Sequence, residues 1–222
     1  MNVLVISAHP DDETLGCGGT LLKHIERGDR ISWVVVTEAF QPDWSEEVIR
    51  RMTRQVESVA RAYPVEKTFK LGFHTTRLDS LPIGQIIEAI RSVAEVVRPN
   101  IVYVVNGGDV HSDHRIVFAA TMSVFKPLYM QRLGVNRILS YETISSTDAG
   151  VSQLCAPFLP TVFSQITGFM DRKIEIMQLY ETEIQPDPLP RGPSALRSFA
   201  RFRGATVGVE YAEAFMLLRE LI

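Results

Sequence analysis

The chain has 222 residues, 45% of them hydrophobic and 22% charged, with a formal net charge of −3. That is enough apolar material for one globular domain, and so mild a charge predicts no nucleic-acid or anionic-surface partner. No apolar run reaches the length of a membrane span. The N-terminus opens on strand-like residues and lacks a basic segment, so no signal peptide is expected. Cys17 and Cys155 read as free thiols of a reducing cytoplasm, and no internal repeat stands out.

The first half alternates short apolar runs with longer amphipathic segments. Val3–Ile6 reads as a fully buried strand. Thr14–Arg27 reads as a helix ended by Gly28. Ile31–Thr37 is a second strand, and a helix follows from about Ser45 with Val48, Met52, Val56, Val59 and Tyr63 as its stripe, stopped by Pro64. Lys67–Phe73 is a weaker strand, Pro82–Val97 a helix closed by Pro99, and Ile101–Val105 a fourth, buried strand. A helix runs from near Asp113 to Lys126, and Arg137–Tyr141 is a fifth strand.

Beyond it the alternation fades. Ile166–Glu183 contains one more helix, Gln185–Ser194 holds four prolines and reads as an irregular surface loop, and Gly208–Ile222 is apolar enough to dock. The expectation is an α/β, Rossmann-like, doubly wound and mostly parallel sheet with helices on both faces. Residues 1–142 form its core, and 143–222 pack onto the same domain. With right-handed crossovers and a strand order 3-2-1-4-5, the segments after strands one and four share one edge, at the switch point where ligands bind.

Those two segments carry the chemistry. Ala8-His9-Pro10-Asp11-Asp12-Glu13 follows the first strand, and Asp109-Val110-His111-Ser112-Asp113-His114 follows the fourth. His9, Asp12 and His114 make a His₂–carboxylate set of the kind that holds a catalytic zinc-like ion. Such an ion acidifies water to a pKa of about 7. Asp11 is placed to take its proton. His111 can stabilise an oxyanion or protonate a leaving group. Asp113 can fix the orientation of His111, and Asp109 can do the same or hold the loop. Taken singly, each residue also has a structural reading: a satisfied histidine, or acids in the first turn of a helix. It is the pairing of two clusters on one edge that favours a site. His24 and His74 are taken as surface or loop residues.

These residues resemble the PIG-L/LmbE-like zinc deacetylases. Arg54-x-x-Glu57, Tyr141-Glu142, Lys173-x-x-x-Met177-x-x-Tyr180 and the stretch from Arg203-Gly204 to Phe215 resemble later motifs of that family. The resemblance implies removal of an N-acetyl group from an N-acetylglucosamine conjugate, with Zn²⁺ or another divalent cation such as Fe²⁺. His9, Asp12 and His114 match its metal ligands, Asp11 its general base, and His111 the residue assisting at the tetrahedral intermediate; Asp113 stands with them as a catalytic candidate. Arg54, Asp79 and Glu38 are candidates for sugar contacts. A small amino sugar conjugate is thus the expected partner, and a homo-oligomer is left open.

Other readings are a hydrolase of a different amide, or a receiver-like signalling module holding Mg²⁺. The histidines oppose the latter, since Mg²⁺ prefers oxygen ligands. A dinucleotide site is opposed because Leu15-Gly16-Cys17-Gly18-Gly19 does not fit the glycine fingerprint.

Overall fold

A computed structural model describes residues 1–151, 153 and 155–222. Its seven-stranded sheet has the order β3-β2-β1-β4-β5-β7-β6. β1 (Asn2–Ser7), β2 (Arg30–Glu38), β3 (Lys67–His74), β4 (Ile101–Val105) and β5 (Arg137–Tyr141) are parallel. This is the expected doubly wound core in the expected order. β1, β2, β4 and β5 are almost continuously buried because helices cover both faces, which is why they appear as unbroken apolar runs. The intervening helices are α1 (Asp12–Glu26), α2 (Glu46–Ala62), α3 (Ile83–Val97), α4 (Ser112–Val124) and the short α5 (Pro127–Leu133).

The second half departs from the sequence reading. The helix expected within Ile166–Glu183 is only α6 (Met170–Met177), preceded by a single 3₁₀ turn. The Pro-rich loop ends earlier than expected, because Pro193 opens α7 (Pro193–Ala205). Within Gly208–Ile222 lies a strand, β7 (Ala212–Glu220), which pairs antiparallel with β5 and with the edge strand β6 (Val162–Gln165). Among the described residues no helix is long and apolar enough to cross a membrane.

α1 is broken. Cys17 sits at φ −139°, ψ 16°, outside helical space. The break lets the helix press against the sheet, since a Cβ on Gly16 would overlap the Tyr141 ring. It also frees backbone groups, which a buried ion pair satisfies. Glu213 on β7 accepts from the Gly19 and Thr20 amides (2.8 and 2.7 Å) and from the Thr20 hydroxyl (2.6 Å). Lys173 on α6 donates to the Leu15 carbonyl (2.8 Å) and to Glu213 (2.7 Å).

His24 is not a surface residue. It is buried, with Nδ1 2.7 Å from Asp29 and Nε2 3.0 Å from the Tyr103 hydroxyl. His74 ends β3, half-buried between Phe40 and Trp44.

Candidate metal and active site

β1 and β4 lie side by side, with Ile6 in register with Val104. The segments leaving them therefore emerge together, where the strand order reverses. His9 Nδ1 and His114 Nε2 face each other at 3.2 Å. Asp12 Oδ1 is 3.2 Å from His114 Nε2, and its Oδ2 is 3.8 Å from His9 Nδ1. One ligand atom from each of the three residues lies within 4.8 Å of the other two. Asp12 is held in place by the His9 amide, which donates to Oδ2 at 2.8 Å.

Each imidazole turns its second nitrogen to a carboxylate. His9 Nε2 is 3.0 Å from Asp113 Oδ2, and His114 Nδ1 is 3.0 Å from Asp109 Oδ2. Such pairs set which nitrogen faces the centre and raise its basicity. The Thr76 amide donates to the same Asp113 oxygen at 2.7 Å. Asp109 accepts from the His111 amide (2.8 Å), from Thr147 (2.8 Å) and from Ser146. Asp113 thus orients His9, not His111 as expected, and Asp109 orients His114.

The electrostatics suit a cation. Burial disfavours charge on His114, but Asp12 and Asp109 outweigh it and push its pKa up to about 10. Burial likewise opposes the charge of Asp12, yet His114 and His9 hold it at about 2. A field that keeps a proton between two buried carboxylates also attracts a metal ion. His9, Asp12 and His114 offer two nitrogens and a carboxylate, so they fit a divalent cation of the zinc type.

Asp11 caps α1 at φ 110°, a conformation costly for any residue but glycine. Its amide donates to Glu13 Oε2 at 3.2 Å. Burial, and then the Asp12 carboxylate, push the Asp11 pKa well up, against the pull of Arg191. Glu13, unassigned from sequence, is fully buried and takes hydroxyls from Thr14 (2.6 Å) and Tyr180 (2.8 Å). Burial raises its pKa to about 7. His111 caps α4 and accepts the Asp113 amide on Nδ1 at 3.2 Å. Its ring centroid lies 4.4 Å from that of His9 and 5.1 Å from that of His114. Burial and the neighbouring imidazoles lower its pKa to about 4, so the ring is neutral and Nε2 carries the proton.

A cavity of about 580 Å³ opens over these groups. Asp11, His111 and Glu38 line it. Arg54 and Asp79 do not: both are exposed and outside the lining, so they are not brought to the site. No carboxylate from the end of β3 joins the cluster among the described residues, which sets the receiver reading aside. Arg191 and Glu183 also line the cavity and were not among the residues singled out from sequence. Arg191, in the Pro-rich loop, places Nη1 3.2 Å from Asp11 Oδ2 and 2.8 Å from Glu183 Oε2.

Fold and cluster together define a Rossmann-like α/β protein with a His/Asp group suited to a divalent metal. The chain belongs to the PIG-L family, described as GlcNAc-PI de-N-acetylase, whose family model matches residues 4–125. It is 28% identical over 172 residues to the uncharacterized deacetylase YaiS of Escherichia coli K12, covering 74% of this chain and 81% of that one. It is 26% identical over 223 residues to the diacetylchitobiose deacetylase of Thermococcus kodakarensis, covering 95% and 80%. The solved N,N'-diacetylchitobiose deacetylase of Pyrococcus horikoshii has a similar fold, with a TM-score of 0.75 and 22% identity over 97% of this chain and 83% of that one.

Proposed function

We propose that this chain is a zinc-type metal-dependent hydrolase that removes the N-acetyl group from an N-acetylglucosamine-type conjugate. One observation carries the reading: the His9–Asp12–His114 cluster shares its cavity with a buried carboxylate, Asp11, and a neutral imidazole, His111. The relatives named as deacetylases support it.

His9, Asp12 and His114 would hold the ion, either Zn²⁺ or Fe²⁺. Bound there, it supplies Lewis acidity, lowering the pKa of water and polarising a carbonyl. Asp11 takes the proton from the attacking water as its oxygen bonds to the amide carbon. The carbonyl oxygen becomes an oxyanion, and His111 donates Nε2–H to it. When the C–N bond breaks, Asp11 returns the proton to the nitrogen, the free amine leaves, and the acetic acid formed releases its remaining proton to solvent as acetate. Asp113 and Asp109 keep His9 and His114 aimed throughout. Glu38, at the end of β2, has no ion-pair partner among the described residues and is a candidate acceptor for sugar hydroxyls.

The test is acetate and amine release from N-acetylglucosamine derivatives by zinc-loaded protein. Asp11→Asn should keep the metal and lose about 10²–10⁴-fold in kcat. Retained turnover in that variant would remove Asp11 from the mechanism. Failure to bind a divalent ion would remove the reading itself.

A further inference from the structure

A second cavity, of about 230 Å³, lies beside the last turns of α1 and against β6. It shares no lining residue with the cavity over the metal cluster. Ile101 and Arg137 begin β4 and β5, so it lies toward the end of the sheet away from that cluster. α1 joins the two places, with Asp12 in its first turn and Arg27 at its C-cap, roughly 20 Å apart along the axis.

The lining carries Lys23, Arg27 and Arg137, and no carboxylate among the described residues. The chain as a whole has 26 acids against 23 lysines and arginines, so the sign is reversed here. The dipole of α1 accounts for Lys23 and Arg27, since cations favour a helix C-terminus. It does not account for Arg137, which β5 brings to the same cavity from another part of the chain. Neither Lys23 nor Arg27 has a carboxylate partner among the described residues; Lys23 reaches only the Gln165 carbonyl, at 3.3 Å. Arg137 gives Nε and Nη2 to Glu220, which is outside the lining, and keeps Nη1. Met1 also lines the cavity, its terminal amine held by Asp29 at 2.6 Å.

Buried polar groups are part of the same lining. Thr20, His24 and Tyr103 are buried, His24 Nε2 is 3.0 Å from the Tyr103 hydroxyl, and Asp29 fixes Nδ1 from behind at 2.7 Å. Burial raises the Tyr103 pKa, while Arg137 and Arg27 act the other way, so their positive field reaches this hydroxyl. Val162, Phe163 and Phe215 supply apolar lining.

We infer that this cavity binds a small phosphate monoester, with its phosphate among Lys23, Arg27 and Arg137 and its organic part along Val162, Phe163 and Phe215. A phosphate monoester is largely a dianion at neutral pH, and guanidinium groups match its oxygens in geometry as well as charge. The volume is below the roughly 300–1,000 Å³ that encloses a drug-sized ligand, which restricts the occupant to a small one. Nothing in this site depends on the deacetylase reading above.

Calorimetric titration of zinc-loaded protein with glucose 6-phosphate tests this, with inorganic phosphate and glucose as companions. Glucose 6-phosphate should bind, inorganic phosphate should bind more weakly, and glucose should give no heat. Arg27→Gln and Arg137→Gln should each weaken glucose 6-phosphate about ten- to a hundredfold, and added salt should weaken it further. Arg27 is exposed, so its variant should fold and should hydrolyse N-acetylglucosamine derivatives at the wild-type rate. His114→Ala, deprived of its metal, should still bind glucose 6-phosphate as the wild type does. Binding lost in His114→Ala but kept in Arg27→Gln would put the phosphate on the metal and overturn the inference. Binding of neither phosphate, or of inorganic phosphate alone, would also overturn it. Capture by phosphatidylserine vesicles without glucose 6-phosphate binding would make the basic lining a membrane-facing surface, and would overturn it too.

Discussion

Arg191 reaches Asp11 across 180 positions of sequence and meets it at 3.2 Å. The Pro-rich loop that carries it is closed at its base. Gln185 accepts the Arg191 amide at 3.1 Å, and Asp187 accepts that of Ser194 at 2.9 Å. Glu183 shares the same guanidinium nitrogen. Arg191 is thus a positioning residue for the proposed general base. A charge-assisted hydrogen bond contributes about 1.5–3 kcal/mol, so Arg191→Ala should lower kcat by roughly ten- to a hundredfold. Metal content should stay unchanged, and Arg191→Lys should restore part of the rate. A change in KM alone would make Arg191 a substrate contact instead.

The carboxylates behind the two histidines should control metal retention. Asp113→Asn and Asp109→Asn remove the partners of His9 Nε2 and His114 Nδ1. Each should weaken metal binding by about 10–100-fold, measured by competition with a chelator. His9→Ala and His114→Ala should abolish it. Unchanged affinity in all four variants would dismiss the ligand assignment.

The ion pair inside the break of α1 governs stability, not chemistry. Lys173→Met leaves Glu213 buried without its counter-ion. Breaking one side of such a pair costs about 3–5 kcal/mol, which denaturant unfolding would register. A variant within 1 kcal/mol of wild type, on the order of an exposed pair, would show that water replaces the ammonium.

His24 gives a pH dependence with a defined sign. Burial lowers its pKa below the usual 6.5, and its bond to Asp29 offsets this only in part. Arg27 and the terminal amine also disfavour its charge. A depressed pKa means the unfolded chain binds the proton better, so this stability is present above pH 6.5 and is lost as pH falls through the lower folded value. His24→Gln should therefore show a shallower loss of stability than wild type between neutral pH and that value. Equal slopes would place the titration elsewhere.

The parallel half of the fold was legible because buried strands leave unbroken runs such as Val3–Ile6 and Ile101–Val105. β7 was not, because a strand inserted between β5 and β6 has no neighbour in sequence to announce it. In the site, His9, Asp12 and His114 were readable from local pattern and strand order. That Asp113 faces His9 and Asp109 faces His114, and neither side chain faces the His111 ring, depends on side-chain direction, which spacing does not encode. Arg191 left no local signal, and Tyr180 stood out only within a late motif without its role, since their partners Asp11 and Glu13 lie more than half a chain away. Arg54 sits at a helical spacing compatible with either face of α2, and the solvent face is the one it takes.

The family model stops at residue 125, yet the grip on the first turn of α1 comes from beyond it. Tyr180 holds Glu13, Arg191 holds Asp11, and Lys173 holds the Leu15 carbonyl. A polypeptide cut after Tyr141 would keep every proposed ligand and lose all three of these grips. Such a fragment should capture metal loosely and turn nothing over, so the boundary of the motif is not the boundary of the working part.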